Sequence, residues 1–463
     1  MIGSFGKLNQ AAALVAAAAF FAGLAGLAGC ASGPSGASKR AVNSYLATGN
    51  YAGAEKYLDG VKETQYGKKN QVLFYLDKGT VLHHEGKFQE SDDAFDHAEQ
   101  RSQELYTKSI HQAAGMLLLN DTTMDYAGEP FERALTNVFR ALNYVFLGKP
   151  DEALVESRKV EMFLDGLGRQ LQGQNVYKDD AFARYLDSLL YEDSGKPDDA
   201  RISRDASDQA YGWYGSMFHT PAPRFAFPPN ESADQGELVF IHYNGVAPRK
   251  VSKTWQLAWG EALVMTQASR DTEADGAQFK NGLRAGIAGR AITVAYPDYV
   301  QDPFRIAGSE VEVDGGLARS DTLLMEDISA IAHRNLQDRM GLVKTRAVAR
   351  ATVKFVLAEV ASRAAGTQCD KQYGANSFGA NVCRGLSRGL AHGVAAGTEV
   401  ADTRGWSALP SQIRMARLKL SPGRHQIVVR FKDASGGVLS TYTFKDVIIS
   451  KSKRTYLGYR TAI

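Results

Sequence analysis

The sequence predicts a multidomain chain, an all-α helical repeat followed by an α+β domain in which a β-sandwich-like fold carries a helical insert. Three observations lead there. Between residues 41 and 210 a glycine-centred turn recurs, flanked by apolar residues at helical intervals. From residue 237 onward, short alternating runs rich in β-branched residues take over. Between about 320 and 396 the period becomes helical again. A chain of 463 residues, 44% hydrophobic and 23% charged, has ordinary globular composition and length for about two or three domains.

At the start, Lys7 precedes an Ala/Gly-rich run from Ala11 to Leu27. The run is short and weakly apolar for a membrane-spanning helix. A basic start, an apolar core and a small-residue end instead read as a signal peptide over 1–29. Leu27-Ala28-Gly29-Cys30 resembles the bacterial lipobox. That resemblance implies a mature chain that begins at Cys30 and is anchored by acyl chains there, palmitate among them, each buried methylene adding roughly 0.8 kcal/mol. Ala31, standing where an aspartate would favour retention, is similar to the sorting position of enteric lipoproteins and implies the outer membrane, facing the periplasm. Residues 30–40, with "ASGPSGASK", read as a flexible tether.

The next segment, 41–210, contains "VLFYLDKGTVLHHEGKFQESDDAFDHAEQ", two helices joined near Gly86. Gly79, Gly86, Phe88, Ser91, Phe95 and Ala98 follow the spacing of the tetratricopeptide repeat, which this stretch resembles. Related turns occur at Gly49-Asn50-Tyr51, Gly148-Lys149-Pro150 and Gly195-Lys196-Pro197. Stacked units of this kind curve into a groove that binds peptides or partner helices. By that resemblance Thr80, His83, His84, Leu142, Phe146, Tyr185 and Glu192 line the groove and suit an apolar or mixed ligand. His83 and His84 raise a metal site with His97 or His111, but adjacent histidines on a helix face different ways, and no ligand spacing supports one. Glu132, Arg133, Arg140, Glu156 and Arg158 lie among apolar residues on helices that pack together, which predicts an ion-pair network.

A Pro/aromatic connector over 211–236 leads to the β-rich domain, 237–463. "GELVFIHYNGV", "AITVAYPDYV" and "SEVEV" read as strands, and Ser320-Asp321 as a helix start. A second helix is expected beyond Gly341. Four alternating runs after Ile413, separated by Pro-Gly, Ser-Gly-Gly and Lys-Ser-Lys turns, close the domain as a small sandwich. Cys369 and Cys383 bracket a Gly/Asn-rich loop, a disulfide candidate in an oxidising compartment, with two free thiols as the alternative. Asp402, Arg404 and Trp406 form an Asp-x-Arg-x-Trp cluster that can stack a guanidinium on indole, either as a lock between helix and sheet or as a partner or glycan site.

Phosphate-binding loops, nucleophile elbows and zinc-protease motifs do not occur in the sequence, and no nucleophile is paired with a base. These readings predict a non-enzyme without cofactor or metal. Residues 31–230 hold 29 acidic against 22 basic side chains, and 231–463 hold 22 against 31, so the distal half is mildly basic. Nucleic acid is not an expected partner outside the cytoplasm. "YAGEPFERALTNVFRALNYVFLGKPDEALVESRKVE" and "ADTRGWSALPSQIRMARL" resemble segments of a family of bacterial lipoproteins that join tetratricopeptide-like helices to a β-rich C-terminal half. The resemblance implies no particular activity. Its neighbours among envelope lipoproteins, similar to activators of penicillin-binding proteins and to curli-type secretion components, point to assembly. The expected function is a scaffold that holds another envelope protein, a second lipoprotein among the candidates, in the helical groove. The alternative is a protein that binds or modifies peptidoglycan through its basic C-terminal domain.

Overall fold

The computed structural model describes residues 33–112, 124–170, 177–227, 234–258, 263–264 and 291–462. The signal segment, Cys30 and Ala31 lie outside the described residues, as does the side chain of His111. Among the described residues, the first half folds into paired helices: α1 (Gly36–Ala47) with α2 (Tyr51–Val61), α3 (Gln71–Glu85) with α4 (Phe88–Gln112), α5 (Pro130–Phe146) with α6 (Pro150–Gln170), and α7 (Ala181–Asp193) with α8 (Pro197–Met217). The expected tether is shorter than 30–40, because the Ser35 side chain accepts from the Ser38 amide and starts a helix at Gly36. The four pairs turn on Gly49, Gly86, Gly148 and Gly195, each in the left-handed region that glycine enters without a Cβ clash. Gly79 has a different task. A Cβ there would lie 2.8 Å from the Phe95 ring, so glycine is what lets α3 and α4 approach.

Among the described residues the second half contains three sheets. A central sheet runs β11 (Arg454–Thr461), β1 (Gly236–Asn244), β8 (Gln412–Leu420), β7 (Leu323–Asp327), with β11 parallel to β1. An outer sheet runs β10 (Val438–Ile449), β9 (Gly423–Lys432), β5 (Gly308–Val313), β6 (Ala318–Asp321). A side sheet joins β3 (Leu263–Val264), β2 (Arg249–Ala258) and β4 (Ala291–Val300). Strand β1 is buried at every position, because both of its faces are covered. Leu238 and Phe240 meet Val311, Ile427, Val429 and Phe431 of the outer sheet. On the opposite face Val239, Ile241 and Tyr243 belong to the same apolar cluster as the helices. The result is three layers, helices on central sheet on outer sheet, and the two halves share one core.

Two expected boundaries differ. Ser320-Asp321 does not begin a helix; it pairs with Val311 and Glu310 in β6, and the following run forms β7, with Met325 pointing into the core. The helix begins at Ile328, capped by Asp327, whose carboxylate accepts from the Ala330 amide at 2.9 Å. Nor does Gly341 end it. Helix α9 (Ile328–Tyr373) continues for 46 residues, roughly 70 Å at the α-helical rise. An interior glycine costs only about 1 kcal/mol. Ala347 and Ala351 beyond it are held by Ile292 and Val294 of β4.

Helix α10 (Phe378–Gly397) returns along α9 and makes an arm. Buried Glu399 binds Arg350 and Lys354 at its base, each at 2.7 Å. Near the tip Cys369 and Cys383 form a disulfide, with α-carbons 5.8 Å apart. Replacing Cys383 by Ser should lower stability by up to about 3 kcal/mol, less where α9 and α10 already hold the ends together, and leave the sheets unchanged. Thiol labelling without reductant checks the bond: the folded protein should react at neither cysteine until reduced, and full modification of both would contradict it.

Candidate functional site

The segment from Asp402 to Leu409 has no helix or strand over its length, yet Trp406, Ala408 and Leu409 are buried. Its amides therefore need partners other than a ladder. Helices α3 and α5 supply them. Asp77, fully buried on α3, accepts from the Ser407 amide (3.0 Å), the Ser407 hydroxyl (2.8 Å), the Ala408 amide (2.8 Å) and the Tyr66 hydroxyl (2.8 Å). Glu132 on α5 accepts from the Trp406 amide at 2.7 Å and the Tyr126 hydroxyl at 2.6 Å. The indole of Trp406 donates to Thr80 at 2.8 Å and packs on Phe95 and Phe139. Burial raises both carboxyl groups above their ordinary range, opposed by these hydrogen bonds and by Lys39 near Asp77 and Lys250 near Glu132. Arg404 is bound by Asp402, at 2.7 Å between Nη2 and Oδ2, and donates to the Met124 carbonyl at 2.7 Å. Its guanidinium lies over Tyr126, 5.1 Å from the ring centre, and not over Trp406 as the sequence suggested, because the indole is turned into the helices. The cluster is a strap that ties the sheet half to the helices.

This strap changes the meaning of the predicted groove. Thr80, His83, Leu142 and Tyr185 are at most 3% exposed, so they offer no free surface to a partner. Their contacts are made within the chain. His83 is within 2.7 Å of the Tyr243 hydroxyl on β1 and 2.6 Å of Asn143. Burial pulls its pKa down to about 4, which keeps the ring neutral. Tyr185 accepts from Arg417 of β8 at 2.7 Å, and exposed Glu192 pairs with Arg454 of β11. Phe146 packs against Gly458, where a Cβ would come within 3.0 Å of its ring. The sheet thus covers the face of the helices on which these residues lie. His84 and half-buried Phe146 reach a remaining opening, a cleft of about 420 Å³ at the edge of β11.

Of the residues expected in an ion-pair network on α5 and α6, Arg140 and Glu156 form one that extends to α4, whereas Glu132 accepts from Tyr126 and Trp406 and neither Arg133 nor Arg158 is ion-paired among the described residues. Arg140 binds Asp92 at 2.9 Å, Asp96 at 3.1 Å, Glu99, and Glu156 at 3.4 Å. Arg133 is sandwiched by the rings of Tyr106 and Phe163, and Arg158 meets the Tyr191 hydroxyl. Glu129 caps α5 and binds Lys250 and Arg339, which hold its carboxyl well below the usual range despite burial. His97 packs on Tyr75. Among the described residues no group of three or more His, Cys, Asp or Glu is placed to hold a metal ion. Sequence reasoning missed Asp77 and Arg460. The available signals were an acid inside the apolar run "VLFYLD" and a cation on the inward face of an alternating strand. No family model, curated protein or solved structure matches the chain.

If the strap joins the halves, Trp406→Ala should destabilise by roughly 3–5 kcal/mol, and Asp77→Ala by about 2–3 kcal/mol through the donors it orphans. Because both act on one segment, the double variant should lose less than the sum. Urea unfolding reads all three. Losses that add to within about 0.5 kcal/mol would show that the two residues act independently.

Proposed function

We propose that this protein is a lipid-anchored component of the bacterial envelope that docks another envelope protein and performs no chemistry of its own. Its helical pairs are read as degenerate tetratricopeptide units whose concave face has been internalised by the sheet. Four glycine turns and the close Gly79–Phe95 contact support that reading. The lipobox-like end at Cys30 supports the anchor. The observation that carries the docking role is the outer face of the α9–α10 arm. Phe378, Val382, Leu386 and Leu390 recur every fourth residue along α10 and are 85%, 44%, 63% and 59% exposed. Val356, Leu357 and Val360 add further exposed apolar surface on α9. A contiguous apolar stripe of this kind is unusual on an isolated soluble surface and suits a protein partner.

The experiment separates anchor from docking. Cys30→Ser should abolish labelling by radioactive palmitate and move the protein out of the membrane fraction. A photo-crosslinking residue at Leu386 should capture a discrete envelope protein in cells, and one at exposed Ile202 on α8 should not. Absence of any adduct at Leu386 would contradict the arm as the docking surface. Retained membrane labelling in the serine variant would contradict the anchor.

A further inference from the structure

The cleft at the edge of β11 holds polar groups that the fold leaves unmatched. Arg460 is 4% exposed, and Nη2 donates to the Ala408 carbonyl at a long 3.5 Å, whereas Nε and Nη1 have no partner among the described residues. Among the described residues no carboxylate pairs with it; its electrostatic neighbours are the hydroxyls of Tyr51 and Tyr243, and burial lowers its pKa to about 9. A buried guanidinium without a counter-ion is costly. Two further polar atoms of the same cleft are orphaned, His84 Nε2 and Glu85 Oε2. Burial keeps His84 neutral, and the other oxygen of Glu85 is held by Lys87 at 3.0 Å. The walls are aromatic: Phe88 stacks on Phe146 at 4.8 Å, and Tyr442 meets Tyr459 at 4.4 Å. Tyr442 is 41% exposed and stands at the mouth.

We infer that this cleft binds the C-terminal residue of a partner polypeptide, with the terminal carboxylate on Arg460, the residue's amide N–H on Glu85, and an aromatic or aliphatic side chain among the rings. The charges select the class of ligand. One unpaired guanidinium matches one negative charge, while the adjoining Glu85 disfavours a phosphate dianion. A terminal residue presents an acceptor, a donor and an apolar side chain within a few ångströms, the set that Arg460, Glu85 and the rings require. A volume of about 420 Å³ lies within the range of small-ligand pockets. The site is separate from the apolar stripe of the arm, so its failure would leave the docking proposal standing.

The test uses N-acetyl-Gly-Phe as the free acid and as the C-terminal amide, titrated into the folded protein and followed by the amide resonances of residues 456–460. The acid should bind roughly tenfold or more tightly than the amide, the difference a charge-assisted hydrogen bond supplies. Arg460→Met should erase the preference while unfolding at the same or a higher temperature, since it removes an uncompensated buried charge. Equal binding of acid and amide, binding of neither at millimolar concentration, or a preference retained in the methionine variant would each overturn the inference. Should that variant fail to fold, the acid–amide comparison on the unaltered protein decides alone.

Discussion

The structure depends on the demand that a buried, irregular backbone makes for hydrogen-bond acceptors. Asp402 to Leu409 passes between helices and sheet without a ladder of its own, and an unpaired buried amide costs about as much as a lost hydrogen bond. Asp77 and Glu132 meet that demand from two separate helical pairs. Each carboxylate is itself costly to bury and is tolerable because its oxygens accept several donors. Strap and acids are therefore mutually dependent. Removing either side leaves the other unsatisfied.

From this contact the rest of the architecture follows. With Trp406 packed against both Phe95 and Phe139, the central sheet lies against the helices, and its inward cations meet the helices' acids and hydroxyls. Glu237 gathers Arg417, Lys419 and Arg454 into one cluster at that junction. The face of the helices that the sheet covers is thus filled by the chain itself. Among the described residues, openings remain at the margins, including the aromatic cleft beside β11, a cavity of about 360 Å³ between α3, α4, α5 and α6 and one of about 230 Å³ beside the strap, and the apolar face of the arm is exposed.

Local features were legible in the sequence. The glycine turns and the prolines that open α6 and α8 rest on interactions within a few residues of one another, and the structure has them at those positions; the four final strands were legible by their alternation and turns, although only β9 and β10 pair with each other and β8 and β11 pair with distant β1. The pairing of Cys369 with Cys383 was also readable, since few thiols compete for it. Non-local relations were not. Nothing in "VLFYLDKGTVLHH" indicates that Asp77 meets a segment more than 300 residues away, at Ser407 and Ala408. The seven groove residues were chosen by their place on the first helices; that Thr80, His83, Leu142 and Tyr185 are buried against the sheet needed the fold. At Ser320-Asp321 a helix-start signature lost to strand pairing with β5, and at Gly341 a weak local penalty lost to packing against β4 and α10.

Native-state hydrogen exchange of the Trp406, Ser407 and Ala408 amides tests the strap most directly. If Asp77 and Glu132 hold these groups in the interior, the three amides exchange only through global unfolding, at rates matching the central strand β1, although no regular secondary structure surrounds them. Exchange as fast as that of the exposed turn at Ser435–Gly437 would contradict the account, because the halves would then be held by their packing and by the other cross-links, such as Arg417 to Tyr185 and Arg454 to Asp193, and not by the strap.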